Sequence, residues 1–199
     1  MIPINLVFED ILSEAILKVM LQQSQRPFSV QNSYNCRGFG KIKKQILAYN
    51  NAAQSTPYLV LTDLDRAECP LIIINTWFQT KSKHSNLLFR IAVREVEAWL
   101  MADREAFAKF LGISIDLIPT DIDNIADPKT NLINLVKKSK KRQLKDSIVP
   151  AKNSTAKIGK DYNGPLIEFV QQYWQVTKAE INSPSLRRAI KSIRSFQPS

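Results

Sequence analysis

The sequence predicts an α/β fold in which a parallel sheet is covered by helices. Short apolar runs that suit buried strands alternate with segments whose apolar residues recur at helical spacing, and such alternation is typical of parallel sheets. The chain has 199 residues, of which 44% are apolar and 9% aromatic, so it can bury a sizeable core. We expect an α/β domain at residues 1–112 and a basic, mostly helical extension packed on it at residues 113–199.

Four strands and four helices are expected in the first domain. Each strand is an apolar run too short for a helix and rich in β-forming residues. The predicted strands are residues 4–8, 27–31, 58–62 and 89–93. The predicted helices are residues 10–23, 41–53, 68–78 and 95–111, the last ending before Gly112. Beyond residue 113 the periodicity weakens, and helices are expected only near residues 165–174 and 185–195.

The composition excludes several classes of site and of protein. With one His and two Cys, the chain is a poor match to a zinc site or a Ser-His-Asp triad. No apolar run approaches the roughly 20 residues that cross a bilayer, and the start lacks a basic segment followed by an apolar one. We therefore expect a cytoplasmic protein with no membrane contact.

The positive charge is concentrated in one segment. The chain carries 28 Lys plus Arg against 18 Asp plus Glu, and residues 129–160 hold ten of the basic residues and a single acid, Asp146. Such a run favours contact with the phosphates of a nucleic acid; the alternative is a solvated, partly disordered loop. The residues predicted to bind nucleic acid are Lys137, Lys138, Lys140, Lys141, Arg142 and Lys157.

Acidic residues follow three of the predicted strands. Glu9 follows the first strand, Asp63 and Asp65 follow the third, and Glu95 and Glu97 follow the fourth. Groups at the carboxyl ends of parallel strands meet at one edge of the sheet. Because Mg²⁺ prefers oxygen ligands and can clamp a phosphodiester under attack, the cluster indicates a metal site.

Each acid also has a structural interpretation. Asp63 and Asp65 could form a turn or cap the next segment, and Glu95 and Glu97 could complement the dipole of a helix. Glu9 could have a similar capping role. These explanations do not require three strand ends to finish in acids, and the coincidence favours a shared site.

Several stretches resemble a known family. Leu6-Val-Phe-Glu9, Tyr58-Leu-Val-Leu-Thr-Asp63-Leu-Asp65 and the Glu95-Val-Glu97-Ala-Trp-Leu segment resemble the Toprim fold, a Rossmann-like sheet flanked by helices. More narrowly, they resemble domain-of-unknown-function family 4276, as does the tail at residues 182–190. That Toprim-like family is often encoded beside AAA-type ATPases in bacterial phage-defence pairs.

The resemblance implies a set of site residues. Toprim proteins include topoisomerases, primases and overcoming-lysogenization-defect nucleases, in which a first glutamate and an Asp-x-Asp pair bind Mg²⁺. A later lysine neutralises the transition state in the nuclease branch, and Lys157 or Lys160 is the candidate here. The implied catalytic residues are Glu9, Asp63, Asp65, Glu97 and Lys160. The implied ligands of Mg²⁺ or Mn²⁺ are Glu9, Asp63, Asp65, Glu95 and Glu97.

The function expected from this resemblance is Mg²⁺-dependent cleavage of nucleic acid, with DNA favoured over RNA, in an antiviral defence system. An AAA-type ATPase is the implied partner. The first motif departs from the usual Glu-Gly-x-x-Glu, since no glycine follows Glu9 and the second acid is missing or shifted to Glu14. This departure supports the alternative of a catalytically silent subunit that binds nucleic acid or an ATPase.

Overall fold

A four-stranded parallel sheet forms the centre of the protein. The computed structural model describes residues 1–199, and its strand order is β2-β1-β3-β4. The strands are β1 (Ile2–Phe8), β2 (Phe28–Asn35), β3 (Tyr58–Asp63) and β4 (Leu87–Ala92). Helices cover both faces of the sheet. The predicted α/β fold, a Rossmann-like parallel sheet flanked by helices, is therefore confirmed.

One face of the sheet is covered by α2 (Phe39–Ala52) and α3 (Pro70–Phe78). Ile42, Ile46, Ile73 and Trp77 from these helices join Val60 of β3 in one buried cluster. Both helices connect parallel strands that advance in the same direction across the sheet. Right-handed crossovers therefore place them on the same side.

The opposite face is covered by α1 (Ile11–Gln23) and by the C-terminal helices. A continuous cluster of buried apolar side chains joins these helices to the sheet and includes residues from both sides of Gly112. The remaining helices are α4 (Val96–Ala102), α5 (Arg104–Leu111), α6 (Pro128–Lys138), α7 (Arg142–Ile148), α8 (Asn163–Gln172), α9 (Val176–Asn182) and α10 (Pro184–Arg194), with a 3-10 turn at Ile115–Leu117. The two predicted segments thus share one core.

The single helix predicted over residues 95–111 is wrong, because the chain breaks at Asp103. This residue leaves the helical conformation, with φ −81° and ψ 71°. Its carboxylate accepts hydrogen bonds from the backbone N–H groups of Ala106 at 3.3 Å and Gln175 at 2.9 Å. Asp103 is therefore the N-cap of α5, and its second hydrogen bond joins the start of α9 to the start of α5.

The basic segment is largely helical. It contains α6 and α7, whose inner faces bury Leu132, Val136 and Ile148. The alternative of a partly disordered loop is therefore wrong for residues 128–148. The structure also adds α9, which the sequence did not predict, and extends β2 to Asn35. None of the helices is both long and apolar enough to cross a membrane.

Candidate active site at the carboxyl edge of the sheet

The acidic residues gather where the chain changes direction across the sheet. β1 and β3 are neighbours, but the chain leaves β1 toward β2 and leaves β3 toward β4. In open α/β sheets, ligands bind in the crevice at the carboxyl ends of two such strands. Glu9 follows β1 and Asp63 ends β3, so both lie at this crevice.

Glu9 is fixed against the end of β3. Its Oε1 atom accepts hydrogen bonds from the Thr62 hydroxyl at 2.6 Å and from the Asp63 backbone N–H at 2.9 Å. Burial raises the pKa of Glu9, and these two hydrogen bonds oppose the rise. The side chain is thus held by neutral donors while no cation compensates its charge.

Asp63 connects β3 to the start of α4. Its Oδ1 atom accepts a hydrogen bond from the backbone N–H of Val96 at 3.0 Å. Burial and then the negative charges of Glu97 and Glu9 raise the pKa of Asp63 well above its usual range. Asp65, two residues further on, is exposed and has a positive φ of 49°. Its charge adds to the repulsion at Asp63.

Glu97 is the most deeply buried of the predicted acids, with 2% exposure. Its Oε1 atom accepts a 2.8 Å hydrogen bond from the Tyr162 hydroxyl, and its Oε2 atom is buried without a hydrogen-bond partner. Burial raises the pKa of Glu97, while the charge of Lys129 opposes the rise. Burial and the charge of Glu97 also raise the pKa of Tyr162, which keeps its hydroxyl protonated as a donor.

Lys129, in the first turn of α6, is the cation of the site. Its Nζ atom lies 3.5 Å from Oε1 of Glu97 and 3.7 Å from Oε1 of Glu95. Its backbone N–H donates to Oε2 of Glu95 at 2.8 Å. Burial acts to lower the pKa of Lys129, but Glu97 and Glu95 outweigh it and raise the pKa. Lys129 is therefore a permanent positive charge beside the acids.

The donor set fits a hard cation in its chemistry. Glu9, Asp63 and Glu97 come from three different strand ends, and each keeps one carboxylate oxygen outside the hydrogen bonds described above. Such oxygens are the ligands that Mg²⁺ takes in proteins. In this conformation, however, no three acidic, His or Cys side chains converge on one point at which an ion would be held.

Comparison with known proteins identifies the family. A family model described as "Domain of unknown function (DUF4276)" matches residues 9–166. The chain belongs to this family. No curated protein and no solved structure matches the chain. The DUF4276 match begins at Glu9 and extends past Tyr162, so it includes every side chain of the site.

The two lysines implied by the resemblance lie outside this arrangement. In this DUF4276 chain, Lys157 and Lys160 are exposed in the loop before α8, and neither side chain makes a hydrogen bond or an ion pair. Sequence reasoning missed Lys129 and Tyr162, which contact Glu97 directly. The dipeptide Asp127-Pro128, a cap followed by proline, was a signal for a helix that begins beside Lys129.

The other predicted nucleic-acid residues form a separate group, which we call the basic cluster: Lys137, Lys138, Lys140, Lys141 and Arg142. All five are exposed. The cluster begins at the far end of α6 from Lys129, about 12 Å along a helix that rises ~1.5 Å per residue. The Lys141 ammonium donates a 2.6 Å hydrogen bond to the Phe110 carbonyl. A nucleic acid bound to the acids would have to extend along α6 to reach the cluster.

Proposed function

We propose that this DUF4276 protein is a Mg²⁺- or Mn²⁺-dependent nuclease that cleaves phosphodiester bonds. The observation that supports the proposal most is the position of Glu9, Asp63 and Glu97 at one crevice. Their charges repel each other through a buried region, and each has an oxygen free to bind a cation. A divalent cation would reduce the repulsion among these carboxylates and would bind the Glu97 oxygen that has no hydrogen-bond partner.

Three of the five implied ligands suit that role best. Glu9, Asp63 and Glu97 would hold the ion, with Asp65 at the exposed side. Glu95 already accepts from the Lys129 backbone and contacts its ammonium, so it serves to position Lys129. Bound Mg²⁺ would supply positive charge to stabilise the negative charge that develops on an attacked phosphate.

The chain's own side chains prepare the site in two ways. Thr62 and the Asp63 backbone orient Glu9, and Tyr162 orients Glu97. Lys129 adds a fixed positive charge at the same edge, where it would lie close to a phosphate bound by the acids. We propose Lys129 for the part that the resemblance gave to Lys157 or Lys160.

The proposed setting follows from the resemblance to Toprim nucleases of phage-defence pairs. It comprises a cytoplasmic location, an AAA-type ATPase partner and DNA in preference to RNA as substrate. The basic cluster would hold the nucleic-acid backbone at a distance from the acids.

The experiment compares nicking of supercoiled plasmid and of single-stranded circular DNA by highly purified protein with Mg²⁺, with Mn²⁺ or without metal. Asp63→Asn should lower cleavage by on the order of 10², because stabilisation of the developing charge is lost. Glu168→Gln is the matched control, since Glu168 is exposed on α8 and away from the crevice. Equal trace nicking by the wild type and by Asp63→Asn would reject the nuclease.

The ion pairs of Lys129 favour one alternative, a catalytically silent subunit that binds nucleic acid or an ATPase. In such a protein Lys129 would neutralise Glu95 and Glu97 permanently, with no need for a metal. Thermal unfolding separates the two proposals, because a ligand that binds only the folded state raises the melting temperature. A shift with Mg²⁺ that Asp63→Asn abolishes supports the nuclease. No shift, together with retained nucleic-acid binding, supports the silent subunit.

A further inference from the structure

An apolar pocket adjoins the acids on the α2 and α3 side of the sheet. Its volume is about 490 Å³, and six of its ten lining residues are hydrophobic. Phe39, Ile72 and Trp77 form apolar walls, whereas Asp63 and Asp65 form the wall that the pocket shares with the crevice. Pockets of this volume, with a mostly apolar lining and a few polar groups, are typical of small-molecule sites.

Phe39 is an exposed aromatic side chain at the entrance of this pocket. It is the first residue of α2 and is 50% exposed, whereas Trp77, which lines the same pocket, is 7% exposed and packs on Phe89. The backbone N–H of Gly38 donates to the Glu9 carbonyl at 3.1 Å, which fixes the start of α2 beside the first acid. The Phe39 ring is thus presented close to the acids with one side open.

The chain segment around Phe39 is basic. Residues 37–44 contain Arg37, Lys41, Lys43 and Lys44 and no acid, and all four side chains are exposed. Arg66, also exposed, lines the pocket itself. None of these five cations forms an ion pair. Their charges are therefore free to meet phosphates that approach the crevice.

We propose that the pocket binds one unpaired nucleobase, stacked on Phe39, while Arg66 and the basic residues of segment 37–44 contact the flanking phosphates. The inference rests on the proposed function and names its substrate class, single-stranded or frayed nucleic acid. A base lies one sugar away from its phosphate, so a phosphate at Asp63 and Asp65 brings a base to the shared wall. Paired bases are stacked inside a duplex and cannot enter without being extruded.

Charge complementarity favours a nucleotide over a protein segment as the occupant. The pocket combines a flat aromatic surface, one lining cation without an ion pair, Arg66, and a wall shared with the proposed metal ligands, and a nucleotide uses all three. A protein partner docked on exposed Leu71 and Ile72 would leave the cation and the shared wall without a role.

The test measures base stacking without cleavage. A short single-stranded oligonucleotide carries a fluorescent adenine analogue whose emission is quenched by stacking, and a hairpin carries the same analogue in a base pair. Both are titrated in metal-free buffer. The wild type should quench the single strand and not the hairpin. Phe39→Ala should lose the quenching and weaken binding about fivefold or more, the effect of losing one stacked base.

Two variants control for indirect effects. Phe39→Trp keeps an aromatic surface and should retain the quenching. Tyr173→Ala removes another aromatic residue of 48% exposure, at the end of α8, and should behave as the wild type. The melting temperature of each variant is measured alongside, so that a folding defect is not mistaken for lost stacking.

Three results would overturn the pocket. The first is that the wild type does not quench the fluorescence, and the second is that Phe39→Ala quenches it as well as the wild type does. The third is that the wild type is a dimer, which Phe39→Ala dissociates without changing the fluorescence. This third result would make this face a protein interface. Plasmid cleavage, measured in parallel, separates the two proposals. Quenching that depends on Phe39 without any cleavage would keep the pocket and reject the nuclease, and cleavage without quenching would do the opposite.

Discussion

The hydroxyl of Tyr162 donates a 2.8 Å hydrogen bond to Oε1 of Glu97, a residue 65 positions earlier in the chain. Both side chains are buried. This bond fastens the loop before α8 to the first turn of α4, and it satisfies one oxygen of a carboxylate whose other oxygen has no partner. The bond therefore stabilises the fold and also orients a ligand of the proposed metal site.

Tyr162→Phe should destabilise the protein by about 1–3 kcal/mol, because a buried carboxylate oxygen loses its one short hydrogen bond and keeps only the Lys129 ammonium, 3.5 Å away. The measurement is urea unfolding at neutral pH. Tyr173→Phe is the control, since the hydroxyl of Tyr173 has no partner and its side chain is exposed. A loss no larger than that of the control would mean that water replaces the Tyr162 hydroxyl.

Asp63→Asn should make the protein more stable at neutral pH. The pKa of Asp63 is higher in the folded protein than in the unfolded chain, where it is about 3.9. Between these two values the folded protein retains a proton that the unfolded chain releases, so stability falls as pH rises through this window. Asparagine does not titrate, and it keeps the oxygen that accepts from Val96.

The measurement is the urea midpoint as a function of pH. The advantage of Asp63→Asn should grow as pH rises above the ordinary carboxyl range and vanish below it, whereas Glu168→Gln should follow the wild type. If Asp63→Asn were less stable than the wild type at neutral pH, the negative charge of Asp63 would have to be stabilised by a group that does not contact it in this structure.

Lys129→Gln should lower cleavage by on the order of 10², since it removes the positive charge nearest to the acids. Lys160→Gln should have little effect, because Lys160 is exposed and contacts none of them. Single-turnover cleavage measures both, and Lys129→Arg, which keeps the charge, should restore much of the loss. A larger defect in Lys160→Gln would assign the catalytic role to the lysine that the resemblance implied.

Changing the basic cluster to Gln should weaken nucleic-acid binding for all sequences alike. The slope of log K against log salt should flatten by about 0.9 for each phosphate of duplex DNA that the protein no longer neutralises. Lys18→Gln is a control for net charge, because Lys18 is exposed on α1 and paired with Glu14. An unchanged slope would leave the cluster with a role in solubility only.

The sheet and its acidic edge follow from the sequence because they depend on local rules. Apolar runs such as Leu59, Val60 and Leu61 are buried on both sides, which indicates a parallel sheet, and chain order then places Glu9 and Asp63 at one edge. The break at Asp103 escaped prediction because apolar spacing continues across it; its cap contact with Ala106 is local, but its second partner, Gln175, is 72 residues away.

Lys129 and Tyr162 were not predicted as site residues because their contacts with Glu97 also join distant parts of the chain. Lys129 and Tyr162 reach Glu97 only because α6 packs on α4 and α8 packs on α1. No periodicity in the sequence specifies which turn of a helix returns to which strand end. The resemblance pointed to Lys157 and Lys160 as catalytic candidates, whereas the lysine that contacts Glu97 is Lys129.

The order of the site residues along the chain determines the order in which the ribosome synthesises them. Glu9, Asp63 and Glu97 are translated before Lys129 and Tyr162, and the side of α1 that contacts α8 is covered only after α8 has been synthesised. A chain that ended before Lys129 would present Glu97 without either partner, and the side of α1 that contacts α8 would be exposed. The proposed site thus acquires its cation and the hydroxyl donor to Glu97 only after α6 and the start of α8 have been synthesised.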